Sequence, residues 1–171
     1  MSTFEAETVR TERLTLLPLR PEHAEELAAV LADPALHAFT GGAPEDAELL
    51  RARYERWAAG APEPSVSWCN WAVRLRDEEC LVGTVQATVT SDGGGAVAEI
   101  AWTVGTRWQR RGIASEAARG LVGWLRGRGV RTVVAHVHPE HAASGAVAAA
   151  AGLAPTDRWQ DGEVRWESVT G

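Results

Sequence analysis

The segment Gln109-Arg110-Arg111-Gly112-Ile113-Ala114-Ser115 carries the most legible chemistry of this chain. An alternating stretch from Ala96 to Val104 precedes it and reads as a strand, and a helical period runs from Ala114 to Gly127 after it. The first N–H groups of a helix have no intrahelical acceptor, and the aligned peptide dipoles gather partial positive charge at that end. Gly112 takes backbone angles that side-chain-bearing residues resist, and it lets a ligand approach the main chain. Arg110 and Arg111 add permanent positive charge. A loop of this kind holds a diphosphate. It is not a Walker loop, because no Gly-Lys-Ser/Thr closes it, and the Gly-x-Gly-x-x-Gly dinucleotide pattern is absent.

Three other groups of residues could do chemistry. Glu99 lies on the strand before the loop, where alternation puts it on one face with Ala101 and Thr103. His136, His138 and His141 form a His-x-His-x-x-His run that ends three residues before Ser144. Such a run is a potential zinc or iron set, but a catalytic metal also wants a carboxylate or a further histidine at convergent spacing, so no metal is assigned. His23 and His37 read as ordinary helix-face or loop residues. Eight tryptophans stand against one tyrosine and two phenylalanines. Most suit a core, whereas Trp68 and Trp71 are placed to wall an apolar or aromatic acceptor pocket.

These residues need elements to position them. Thr11 to Leu19 reads as a strand, Pro21 to Leu31 as a helix, and Pro44 to about Ala58 as a second helix, with Phe39-Thr40-Gly41-Gly42 as a flexible connection between the two. Strands at Trp71 to Arg76, Leu81 to Val89 and Ala96 to Val104 are separated by short, turn-rich links, which predicts an antiparallel meander. The helix from Ala114 crosses over to a strand at Arg131 to His138. A short alanine-rich helix, Ala142 to Ala151, precedes a terminal hairpin of Leu153 to Trp159 and Glu163 to Val169, turning at Asp161-Gly162.

Composition narrows the class. A chain of 171 residues, 45% hydrophobic and 23% charged, suits one ordered domain over residues 1–171. A net charge of −6 argues against nucleic acid as a partner and suits a cationic one. No apolar run is long enough to span a membrane, and the N-terminus lacks a signal-like core, so a cytoplasmic protein is expected. Cys69 and Cys80 lack metal or redox spacing and read as reduced packing residues.

The pattern Gln109-x-x-Gly112-x-Ala114, set in the order β-α-α-β-β-β-α-β-α-β-β, resembles the GNAT superfamily of acyl-CoA-dependent N-acyltransferases along nearly the whole chain. The family motif is Gln/Arg-x-x-Gly-x-Gly/Ala. Thr11-Glu12-Arg13-Leu14-Thr15-Leu16 with Leu19-Arg20-Pro21 resembles the branch related to RimJ and RimL, the ribosomal-protein N-terminal acetyltransferases, which also holds enzymes acting on antibiotics and small amines. The resemblance implies an α+β GNAT fold: a mixed, mostly antiparallel central sheet of about seven strands flanked by about four helices. The sheet would splay between the strand before the loop and the strand after the crossover helix. Acetyl-CoA is the implied co-substrate. Its pantetheine arm would run along Trp102, Thr103 and Val104, and its pyrophosphate would sit on the loop, Gln109 and the N–H groups from Arg110 to Ser115. The implied reaction moves acetyl to a primary amine, on a small molecule or a protein N-terminus, by direct attack in a ternary complex. A homodimer is left open.

The site that reaction needs is modest. A thioester carries a good leaving group, so holding its carbonyl near a neutral amine supplies much of the rate. A lysine-like amine titrates at about 10.4 and must lose a proton, so a base or a water relayed to one is useful. The family often places a glutamate on the strand of Glu99, which makes Glu99 the candidate base; orienting the amine is its alternative role. His141 stands where the family has an asparagine that bonds the pantetheine arm, and an imidazole can donate one bond and accept one. Ser144 matches the family serine and is the candidate donor to the CoA sulfur, since the tyrosine of many relatives has no counterpart. It could equally bond its own helix terminus. These departures leave a non-catalytic acyl-CoA-binding protein as the alternative.

Overall fold

The computed structural model describes residues 4–37, 43–92 and 94–168. The expected connection Phe39 to Gly42, Gly93 of the turn before Ala96, and Val169 at the end of the last expected strand lie outside them. Among the described residues, β1 (Val9–Arg10), β2 (Leu14–Pro18), β3 (Val66–Leu75), β4 (Cys80–Asp92), β5 (Gly95–Val104), β6 (Thr132–Val137), β7 (Leu153–Gln160) and β8 (Glu163–Ser168) form one sheet in the order β1-β2-β3-β4-β5-β6-β8-β7. Every neighbouring pair is antiparallel except β5 and β6. The helices are α1 (Ala24–Val30), α2 (Ala47–Ala59), α3 (Ile113–Gly127) and α4 (Ala142–Ala150). This is the expected α+β GNAT architecture.

The sheet has eight strands rather than about seven, because a two-residue strand, β1, precedes the expected strand from Thr11 to Leu19, of which Leu14 to Pro18 forms β2. The Thr11 N–H donates to the Leu14 carbonyl at 2.9 Å, turning the chain between β1 and β2. The Arg76 guanidinium then donates to the carbonyls of Thr11, Glu12 and Leu14, satisfying main-chain groups that a continuous strand would have paired.

Strand alternation sorts the side chains into two layers. Cys69, Trp71, Val73, Val85, Ala98 and Ile100 face α3, whose Ile113, Ala117, Leu121 and Leu125 are buried at helical spacing. Ala72 and Leu81 point the other way, onto α1 through Ala24 and Leu27 and onto α2 through Leu50 and Tyr54. Burial of each such large apolar side chain contributes about 1.5–3 kcal/mol. Asp46 caps α2, its carboxylate accepting from the Leu49 N–H at 2.9 Å, so that helix starts later than the expected Pro44.

One irregularity matters for function. β5 pairs with β4 along its whole length, from Gly95 opposite Asp92 to Val104 opposite Gly83. It pairs with β6 only at Val97, Ala98 and Glu99, opposite Thr132, Val133 and Val134. β6 nevertheless continues against β8 as far as Val137. A wedge therefore opens inside the sheet just beyond Glu99, in the place expected for the splay. Gly83 keeps the other side of β5 tight: a Cβ there would lie 2.1 Å from the Thr103 carbonyl oxygen.

Candidate active site

The loop after β5 is built from main chain. Gln109 folds back, its side-chain amide donating to the Val104 carbonyl at 3.1 Å. Arg110 and Gly112 take left-handed angles, with φ of 64° and 75°. α3 then starts at Ile113 with no side-chain cap, and its first backbone bond runs from the Glu116 N–H to the Gly112 carbonyl at 3.0 Å. The N–H groups of Ile113, Ala114 and Ser115 thus have no intrahelical acceptor. A Cβ on Gly112 would make only ordinary contact with Arg13, at 3.4 Å, so the positive φ rather than crowding is what favours glycine there.

A brace fixes this loop to the turn between β1 and β2. The Arg13 guanidinium donates to Glu116 at 2.7 Å and to the Arg111 carbonyl at 2.8 Å. The second Glu116 oxygen accepts from the Arg13 N–H at 2.7 Å and from the Thr11 hydroxyl at 2.5 Å. Burial alone would push the Glu116 carboxyl up; the bonds from Thr11 and from Arg13 outweigh it and hold it below the ordinary carboxylate value. Arg111 is paired with Glu78 at 2.7 Å, and Trp108 donates to the same carboxylate at 3.0 Å. Arg110 is exposed.

On the α1/α2 face, one rung of the sheet brings Trp68, Thr88 and Glu99 together. Trp68 lies opposite Thr88, Thr88 opposite Glu99, and Glu99 opposite Val134. Asn70, Gln86 and Ala101 make the adjacent same-face rung. A pocket lined by Trp57, Trp68, Asn70, Gln86 and Thr88 sits over these strands. A larger cleft of about 570 Å³ shares Trp57, Trp68 and Asn70 and extends past Tyr54, Leu19 and Glu63. Trp71 does not belong to it. It is fully buried on the α3 face, edge-on to Trp124 with ring centroids 5.2 Å apart, and its indole donates to the Glu7 carbonyl at 2.7 Å. An odd separation from Trp68 along one strand sends the two rings to opposite faces, which corrects the expectation that both could wall the pocket.

Glu99 is half-exposed, and its carboxylate lies 3.4 Å from Nδ1 of His136. The His136 side chain is 8% exposed, and neither ring nitrogen has a hydrogen-bond partner among the described residues. Sequence reasoning placed His136 only in a potential metal set and missed this contact; the signal lies in the register of β5 against β6, which no local pattern reports. The three histidines do not converge: among the described residues no group of three or more His, Cys, Asp or Glu could hold a metal ion. His138 Nδ1 accepts from the Glu140 N–H at 3.1 Å. His141 caps α4, its Nδ1 accepting from the Ser144 N–H at 3.1 Å, and its Nε2 stands 3.4 Å from the Ser144 hydroxyl. In a neutral ring an accepting Nδ1 leaves the proton on Nε2, so His141 donates to Ser144 Oγ and the hydroxyl proton stays available. Trp102 and Val104 turn toward α3 while Thr103 shares the face of Glu99, all on the stretch of β5 that has left β6.

Cys69 and Cys80 are free, and burial pushes the Cys69 thiol up to about 11. Among the described residues no helix is long and apolar enough to cross a membrane.

A sheet that opens beside an uncapped helix N-terminus is the frame of an acyl-CoA-dependent transferase, and sequence and structure comparisons agree. The family model described as an acetyltransferase (GNAT) domain matches residues 13–154, and the chain belongs to that family. No curated protein sequence matches it. A GNAT-family acetyltransferase from Bacillus anthracis is similar in structure at TM-score 0.73 and 18% identity, over 94% of this chain and 97% of that one. RimL, a ribosomal alpha-N-protein acetyltransferase in complex with coenzyme A, superposes at TM-score 0.76 and 16% identity, over 95% and 98%. MccE, a microcin self-immunity acetyltransferase in complex with acetyl-CoA and AMP, does so at 0.74 and 16%, over 93% of each chain.

Proposed function

We propose that this chain is a single-domain N-acetyltransferase of the RimJ/RimL-like branch that moves acetyl from acetyl-CoA to a primary amine by direct attack. The observation that carries the reading is the wedge beyond Glu99, which lies between the α3 N-terminus and the rung of Trp68, Thr88 and Glu99. The N–H groups at Ile113, Ala114 and Ser115, with the charge of Arg110, suit the pyrophosphate. The edge of β5 that has left β6 offers main-chain bonds to the amide-bearing pantetheine arm at Trp102 and at the Val104 N–H, since the Thr103 carbonyl faces Gly83 on β4 and the Val104 carbonyl accepts from Gln109. Trp68 holds the acceptor, and Glu99 takes its proton, directly or through a water. Ser144, its oxygen held by His141, donates to the departing thiolate; α4 packs on the α3 face, so this donor and Glu99 serve opposite sides of the wedge. The acceptor is a small amine or a protein N-terminus. A panel of both kinds, incubated with acetyl-CoA and read by release of free thiol, tests the reading. Tight CoA binding with no thiol release for any amine would instead assign a binding protein.

A further inference from the structure

Resting on that transferase reading, we propose that His136 is the terminal acceptor of the amine proton, reached through Glu99. Among the described residues both nitrogens of this buried imidazole lack hydrogen-bond partners, a costly arrangement that calls for a reason. His136 stands on the acceptor face of β6, just past the last β5–β6 rung, with Nδ1 3.4 Å from the Glu99 carboxylate and 8% of its side chain exposed. Glu99 is half-exposed and stands in front of it, so substrate meets the carboxylate and the carboxylate meets the imidazole. Arg165 lies opposite His136 on β8 and pairs at 2.8 Å with Glu167, which stands opposite Val134 and also takes Arg158 at 3.8 Å.

As the amine nitrogen bonds the thioester carbon and the C–S bond breaks, an N–H proton passes to the Glu99 carboxylate. Glu99 hands it to Nδ1 of His136, leaving a carboxylate–imidazolium pair, and the proton later returns through Glu99 to solvent or thiolate. An imidazole nitrogen can hold the proton as a cation beside the carboxylate, so the handover resets Glu99 as a base. His136 touches no substrate and is a positioning residue in this scheme.

The test measures pH–rate profiles for the best amine of the panel with wild type, His136→Gln and His136→Asn, alongside calorimetric CoA binding. The amides can bond Glu99 but cannot hold its proton. The expected result is unchanged CoA affinity, a kcat lowered about 10- to 100-fold, and an acidic limb displaced to lower pH, since the remaining base is a carboxylate. An acidic limb that stays in place in both variants overturns the role of His136 and leaves the transferase reading intact, as does a loss of CoA affinity that accounts for the whole effect. A wild type that acetylates no amine overturns the transferase reading, and the relay with it.

Discussion

At the scale of single residues, Glu99 is the sharpest point of commitment. Glu99→Gln keeps the shape of the side chain and removes its capacity to take a proton. It should lower kcat by a factor on the order of 10²–10⁴ with little change in CoA affinity, measured by steady-state kinetics and calorimetry. His141 is the second such residue. Its Nδ1 caps α4, and asparagine is a strong cap, so His141→Asn should keep stability and most activity. His141→Ala should cost about 1 kcal/mol in urea unfolding and lower kcat as well, because Ser144 loses the group that holds its oxygen. Equal unfolding midpoints for the Asn and Ala variants would remove the capping role. The left-handed turn at Gly112 was readable because it is local, whereas the bond from Gln109 to the Val104 carbonyl and the capping of α4 by His141 were not. Trp71 was misplaced because β3 begins at Val66, ahead of the expected Trp71, and without that start the parity against Trp68 could not be counted.

At the scale of elements, the loop and its brace carry the testable physics. Gly112 has φ of 75°, so Gly112→Val strains the turn and sets a branched side chain beside the first N–H groups of α3, to which the proposed function assigns the pyrophosphate. The apparent Kd for CoA should rise strongly in calorimetric titration, and equal binding by the two proteins would contradict the loop assignment. The brace adds a pH dependence. Glu116 is held below the ordinary carboxylate value in the folded state, so its contribution is fully present above the unfolded value and is lost as pH falls through the folded one. Thermal unfolding between about pH 3 and pH 6 should show this loss, and Glu116→Gln should flatten the slope in that acidic window. The same substitution leaves Arg13 without its charge partner and should cost about 1–3 kcal/mol at neutral pH. Helix and strand identities were legible from period and turn chemistry. The break between β1 and β2 was not, because it depends on Arg76, more than sixty positions away, taking up three carbonyls.

For the whole molecule, the fold class and the place where the sheet opens followed from the resemblance of the chain to its family rather than from local pattern. Alternation alone gives faces, whereas the length of each pairing depends on both strands at once. A ligand that fills the opening should stabilise the fold by about 2.7 kcal/mol at a hundred times its Kd, visible as a rise in Tm on adding CoA. Hydrogen exchange should locate the gain. Amides of residues 100–104 that face the wedge should exchange quickly in the free protein and slow when CoA is present, whereas those bonded to β4 should change little.

The β5–β6 seam behaves like a zipper stopped after its third tooth. Each further rung between the two strands would consume the same main-chain groups that a pantetheine arm must bond, so folding and substrate compete for one row of donors and acceptors. Glu99 occupies the stopping point, opposite Val134. On the proposed function, the length of the closed seam is thus a stored measure of how far a thioester can travel into the sheet, and it ends the journey at the carboxylate assigned as the base.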